Sequence, residues 1–120
     1  MHDLENARSF TLDELRDTIR GADAPVVVDF WEPRCTACRA TLQTIDNLAC
    51  RVDDRGVVGT FNVRENPEAA RSLGVDSVPT LLVFREGDID SVLKGAETIQ
   101  NFLERIDEEV FFGQPPTCDH

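Results

Sequence analysis

The sequence predicts an α/β fold, a central mixed β-sheet of four to five strands flanked by helices on both faces. Three observations carry that expectation. A nearly continuous apolar run, Val26-Val-Val-Asp-Phe-Trp31, fits a strand buried on both faces. Helical and extended patterns alternate before and after it, as parallel crossovers require. A turn at Glu86-Gly87-Asp88 then joins two extended segments and adds an antiparallel edge.

The elements follow in order. Thr11-Leu-Asp-Glu14 reads as a capping box, with the Thr11 hydroxyl on an orphan helix amide and Glu14 reaching back. Leu12, Leu15 and Ile19 share one face of that helix, and Gly21 stops it. A short strand before Thr11 is compatible with the pattern. Pro25 opens the buried strand and Pro33 ends it. Cys35 to about Arg51 reads as a second helix, with an apolar stripe of Ala40, Leu42, Ile45, Leu48 and Ala49, and with Asp46 and Asn47 off it. Val57 to Val63 is a further strand. Asn66-Pro67-Glu68 starts a short helix that ends at Gly74, with proline in the first turn. Thr80 to Phe84 and Ile89 to Leu93 are the hairpin strands. Ile99, Phe102, Leu103 and Ile106 recur at helical spacing on a last helix, which Phe111 and Phe112 are expected to finish against the core. The 120 residues make one domain, 1–120, with a core of about 9–109 and a tail of 110–120.

Composition narrows the function. The chain is 41 % hydrophobic and 29 % charged, as in ordinary globular proteins. A formal net charge of −11 disfavours nucleic acid and anionic membranes, since both repel an acidic surface. Lys94 is the only lysine, and the other cations are arginines. Such a surface suits a high-salt cytoplasm, and a high-GC genome with ordinary solubility accounts for it equally well. No apolar run approaches a membrane span. The polar, acidic start Met1-His-Asp-Leu-Glu lacks the features of a secretory signal, so the expected location is cytoplasmic, and the expected state monomeric.

Four cysteines, at 35, 38, 50 and 118, are too few and too unevenly spaced for a secreted disulfide framework. In a reducing cytosol a close pair points to redox or metal chemistry. Zinc requires four ligands, and Cys50, Cys118, His2 and His120 do not repeat the spacing. Iron–sulfur ligation meets the same shortage. No metal or other cofactor is expected. Cys50 reads as a half-buried packed thiol and Cys118 as part of a frayed end. Where a buried strand runs into a helix, the first cysteine of a C-x-x-C meets free amides and the positive dipole end, which stabilise a thiolate. The second lies one turn inward and shielded.

Val28-Asp29-Phe30-Trp31 before Cys35-Thr-Ala-Cys38, followed by Val78-Pro79-Thr80 and Gly95, resembles the thioredoxin family over roughly residues 9 to 109. The intervals from 38 to 79 and from 79 to 95 fit that family without insertion. The resemblance implies the thioredoxin fold and disulfide exchange with protein substrates, with a disulfide reductase as electron donor. It implies that Cys35 attacks and Cys38 resolves. Asp29, the lone carboxylate in the apolar strand, would take the Cys38 proton, its pKa raised by desolvation; the alternative is an Asp reaching solvent from a strand end. Trp31 would wall the site or simply pack in the core. Pro79 resembles the family's cis-proline, which would aim the Val78 backbone at an extended substrate; an ordinary trans proline opening a strand is the alternative. Gly95 would leave room for that substrate.

Three departures stand out. Arg34 replaces the tryptophan before the pair and Ala37 replaces its proline. A cation beside Cys35 and a restored amide at the helix start both favour the thiolate. The expected consequence is a lower Cys35 pKa and a potential more oxidising by tens of millivolts. Arg34 also alters the surface that docks a reductase. Thr60 stands where the family places a lysine partner for the buried aspartate, so Asp29 should titrate higher still. A thioredoxin-like binding or assembly module, with a regulatory or vestigial pair, is the rival class.

Overall fold

The computed structural model describes Leu4, residues 6–52 and residues 55–110, the side chains of 107–109 excepted. Its elements are β1 (Arg8–Ser9), α1 (Leu12–Gly21), β2 (Val26–Trp31), α2 (Thr36–Val52), β3 (Val57–Asn62), α3 (Pro67–Ser72), β4 (Thr80–Arg85), β5 (Asp88–Lys94) and α4 (Ala96–Glu109). The five strands form one mixed sheet in the order β1-β3-β2-β4-β5. β3 runs parallel to both β1 and β2, while β4 runs antiparallel to β2 and β5. The expected short strand before Thr11 is therefore present, as an edge beside β3. Gly59 permits that edge, because a Cβ there would meet the Arg8 carbonyl at 2.8 Å as well as the Phe10 ring.

Alternation along β2 builds both halves of the core. Val27 points into a cluster with Ile45 and Leu48 of α2 and Ile99 and Ile106 of α4. Val26, Val28 and Phe30 point the other way, toward Leu15 of α1 and Ala69 and Ala70 of α3. A strand covered on both faces has no solvent side, so its sequence lacks the polar alternation of a half-exposed strand. Five of its six residues are buried.

Local signals act as the sequence indicates. Thr11 N–H donates to Glu14 Oε1 at 2.8 Å, and Glu14 N–H donates to Thr11 Oγ1 at 3.2 Å. The Arg85↔Asp88 register leaves Glu86 and Gly87 as a two-residue turn, both with positive φ, as a tight hairpin requires.

Two expectations about α2 need correction. Asp46, read as lying off the apolar stripe, is buried, because its carboxylate accepts the Asn6 and Ala7 backbone amides at 2.8 Å each. It thereby pins the segment leading into β1. Ala40 in turn is exposed, and Thr41 takes its place on the buried stripe. Phe111, Phe112, Cys118, His2 and His120 lie outside the described residues.

Candidate active site

The sheet register collects the candidate residues at one end of the sheet. Asp29 pairs with Leu81 and Phe30 with Thr80, so the end of β2 at Trp31 lies level with Pro79, just ahead of β4. Thr80 also pairs with Lys94, which brings Gly95 to the same level. The chain leaves β2 at Trp31, turns through Glu32-Pro33-Arg34 and enters α2 directly after Cys35.

Cys35 and Cys38 form a disulfide with their Cα atoms 5.3 Å apart. Cys35 is half-buried and Cys38 is 1 % exposed. The Cys35 amide donates to the Glu32 carbonyl at 3.1 Å, closing the turn. The Cys38 amide donates to Cys35 Sγ at 3.1 Å. That N–H also donates to the Cys35 carbonyl at 3.2 Å, and it lies in the first turn of α2, at the positive end of the helix dipole, where a sulfur carrying negative charge is stabilised. Two cysteines three residues apart are thus set in unlike surroundings, one reachable and one shielded. Arg34 is exposed immediately before them.

Asp29 is fully buried, which rules out the alternative of a carboxylate reaching solvent from the strand end. Neither of its oxygens has a hydrogen-bond partner, and desolvation pushes its pKa up to about 8. The opposing influence, smaller than desolvation, is the nearby Thr41 hydroxyl. That hydroxyl is committed elsewhere, donating to the Cys38 carbonyl at 2.8 Å. Thr60 lies level with Asp29 on β3, 1 % exposed, and its hydroxyl donates across the sheet to the Arg8 carbonyl at 3.4 Å.

The Val78–Pro79 peptide is cis, so Pro79 is not the ordinary trans proline opening a strand. Pro79 is buried, Val78 half-buried, and the Pro79 carbonyl accepts the Gly95 amide at 3.0 Å. Gly95 has φ +92, and no atom stands within 4 Å of where its Cβ would be. The space beside it is open. Trp31 is half-buried at the same sheet end. A shallow groove runs along the Val78 side of this end, between Val63, Ala70 and Val75.

Other expectations resolve away from this place. Cys50 is half-buried as expected, but it is engaged in a disulfide and is not a free thiol. Among the described residues no group of three or more His, Cys, Asp or Glu is placed to hold a metal ion. No described helix is long and apolar enough to cross a membrane. Sequence reasoning missed Thr41. Its signal was present, since Thr41 lies four residues before Ile45 and seven before Leu48, on the buried face and one turn beyond Cys38.

Comparison with known proteins agrees with this geometry. The thioredoxin family model matches residues 6–108. Thioredoxin 1 of Nostoc sp. is 32 % identical over 102 residues, covering 82 % of this chain and 95 % of that protein. Thioredoxin 1 of Synechococcus elongatus is 37 % identical over 84 residues, covering 68 % and 78 % respectively. Among solved structures, a thioredoxin variant from Halobacterium salinarum NRC-1 superposes with a TM-score of 0.74 at 23 % identity, covering 97 % of this chain and 99 % of its own. With a cysteine pair joined as a disulfide inside the matched region, this chain belongs to the thioredoxin family and is a thiol–disulfide oxidoreductase.

Proposed function

We propose that this chain reduces disulfides in protein substrates through a Cys35/Cys38 couple, in a single domain acting as a cytoplasmic monomer. The observation that carries the reading is the asymmetry of the pair, Cys35 half-buried at the helix start and Cys38 shielded, in a protein whose neighbouring strand β2 buries a carboxyl, Asp29, without a hydrogen-bond partner. In the reduced protein the Cys35 thiolate attacks a substrate disulfide, forming one S–S bond while the distal substrate sulfur leaves as a thiolate. Cys38 gives its proton to ionised Asp29 and attacks the Cys35 sulfur. The second substrate sulfur then departs with its electron pair. Two electrons have passed to the substrate and the Cys35–Cys38 disulfide is restored. A disulfide reductase supplies the electrons for the next cycle.

Trp31, Arg34, Val78, Pro79 and Gly95 form the substrate surface in this reading. The free space at Gly95 suits an extended segment laid along the site. Arg34 favours acidic residues next to the substrate disulfide.

Insulin reduction by wild type and Cys35→Ser is the test. Wild-type turnover with complete loss in Cys35→Ser supports the reading. Unchanged activity in that variant overturns it, and no activity in either protein favours a binding module with a regulatory pair.

A further inference from the structure

Asp29 occupies an unusual position for a carboxyl that must gain and lose a proton. The side chains level with it on neighbouring strands are Thr60 and Leu81. Thr60 directs its hydroxyl to the Arg8 carbonyl, and Leu81 offers no donor. α4 meets the same face of the sheet with apolar side chains, among them Ile99 and Phe102. From α2 comes Thr41, which acts on the Asp29 carboxyl, with Cys38 one turn earlier on the helix; Arg34, ahead of that helix, and Arg39, in its first turn, are exposed. Among the described residues the ionised carboxylate therefore has no cation packed against it. A donor in reach is the Thr41 hydroxyl, which already acts on the Asp29 carboxyl and is fully buried, one helical turn beyond Cys38 and held on the Cys38 carbonyl.

We propose, on the basis of the exchange reaction above, that Thr41 is a positioning residue for the Asp29 proton, its hydroxyl turning from the Cys38 carbonyl to the Asp29 carboxylate when Asp29 ionises. The geometry allows the turn at low cost. A carbonyl inside α2 belongs to the intrahelical ladder, so losing the extra hydroxyl does not orphan it. The charged carboxylate, by contrast, gains a charge-assisted bond in a dry place, where such bonds are strongest. When Asp29 takes the proton from Cys38, the hydroxyl swings back to the Cys38 carbonyl. Thr41 thus holds Asp29 near Cys38 in its ionised form and lets go once the proton has moved. In a chain with Thr60 where the family places a lysine, this holds the charged state without a cation.

The test is the titration of the Asp29 carboxyl carbon by NMR in the oxidised protein, comparing wild type, Thr41→Val and Thr41→Ser. It does not depend on activity. Thr41→Val keeps the shape and removes the donor, so the Asp29 midpoint should rise by about one pH unit, the size of one hydrogen bond to a charged group. Thr41→Ser should return it toward wild type. If Thr41→Val does not fold, Thr41→Ala provides the same comparison. The pH dependence of insulin reduction should follow, its rising limb moving to higher pH in Thr41→Val and back in Thr41→Ser. An Asp29 midpoint unchanged by Thr41→Val overturns the proposal. A shifted midpoint in a protein that fails to reduce insulin leaves Thr41 in place and removes the reading of the substrate.

Discussion

Two carboxylates lie buried on the same side of the sheet and face opposite circumstances. Asp46, in the middle of α2, receives the Asn6 and Ala7 backbone amides at 2.8 Å and the Asn6 side-chain amide at 3.4 Å. Asp29, inside β2, receives nothing. A buried charge held by backbone donors fastens two parts of the chain together. A buried carboxyl without donors favours its neutral form and holds its proton well above the usual carboxylate range. The difference separates an acid that fastens the fold from one that in the proposed exchange serves the cysteine pair, although both are aspartates in elements that pack together.

The comparison breaks most visibly at Asp46. Asp46→Ala leaves the Asn6 and Ala7 amides without their acceptor, and the loss should be about 3 kcal/mol, measured by denaturant unfolding. β1 should loosen from β3, and limited proteolysis should cut before Phe10 in the variant first.

Asp29→Asn should act in the other direction, and only above acidic pH. The carboxyl titrates near 8 in the fold and near 3.9 when unfolded. Between those values the unfolded chain has lost a proton that the folded chain retains, so wild-type stability falls as pH rises from about 4 to about 8. The variant does not share this fall. Its advantage should be absent at pH 4 and grow to a few kcal/mol by pH 8, with flat behaviour beyond. Equal stability curves for the two proteins would contradict the burial argument.

Changes in the loop leave both carboxylates alone and address Cys35. Ala37→Pro combined with Arg34→Trp removes an amide from the helix start and a cation from beside the thiol. The Cys35 pKa should rise and the couple should become more reducing by tens of millivolts, read by equilibration with glutathione. The smallest effect belongs to Lys94→Ala. Its ion pair with Asp76, 3.2 Å long, is exposed at both partners, and its loss should change stability by less than about 0.5 kcal/mol.

Much of this arrangement was legible in the sequence because the deciding forces are local. The Thr11–Glu14 box, the turn at Glu86-Gly87 and the nearly continuous apolar run of β2 each announce themselves through neighbouring residues. The Cys35/Cys38 pair did so as well, since its chemistry follows from its place at a strand-to-helix turn. What stayed hidden depends on partners far along the chain. Asp46 reads as a solvated helix acid until Asn6 and Ala7, about forty residues away, supply their amides. Thr41 reads as an unremarkable helix position until the sheet sets Asp29 beside it. Cys50 read as a packed thiol, whereas it is held in a disulfide.

The most direct test of the account compares insulin reduction by wild type and Asp29→Asn across pH 6 to 9. With Asp29 as the acceptor of the Cys38 proton, the wild-type rate should rise with pH through about 8. The variant should be slower and lack that rise. Superimposable profiles would show that the buried Asp29 carboxyl takes no part in the exchange.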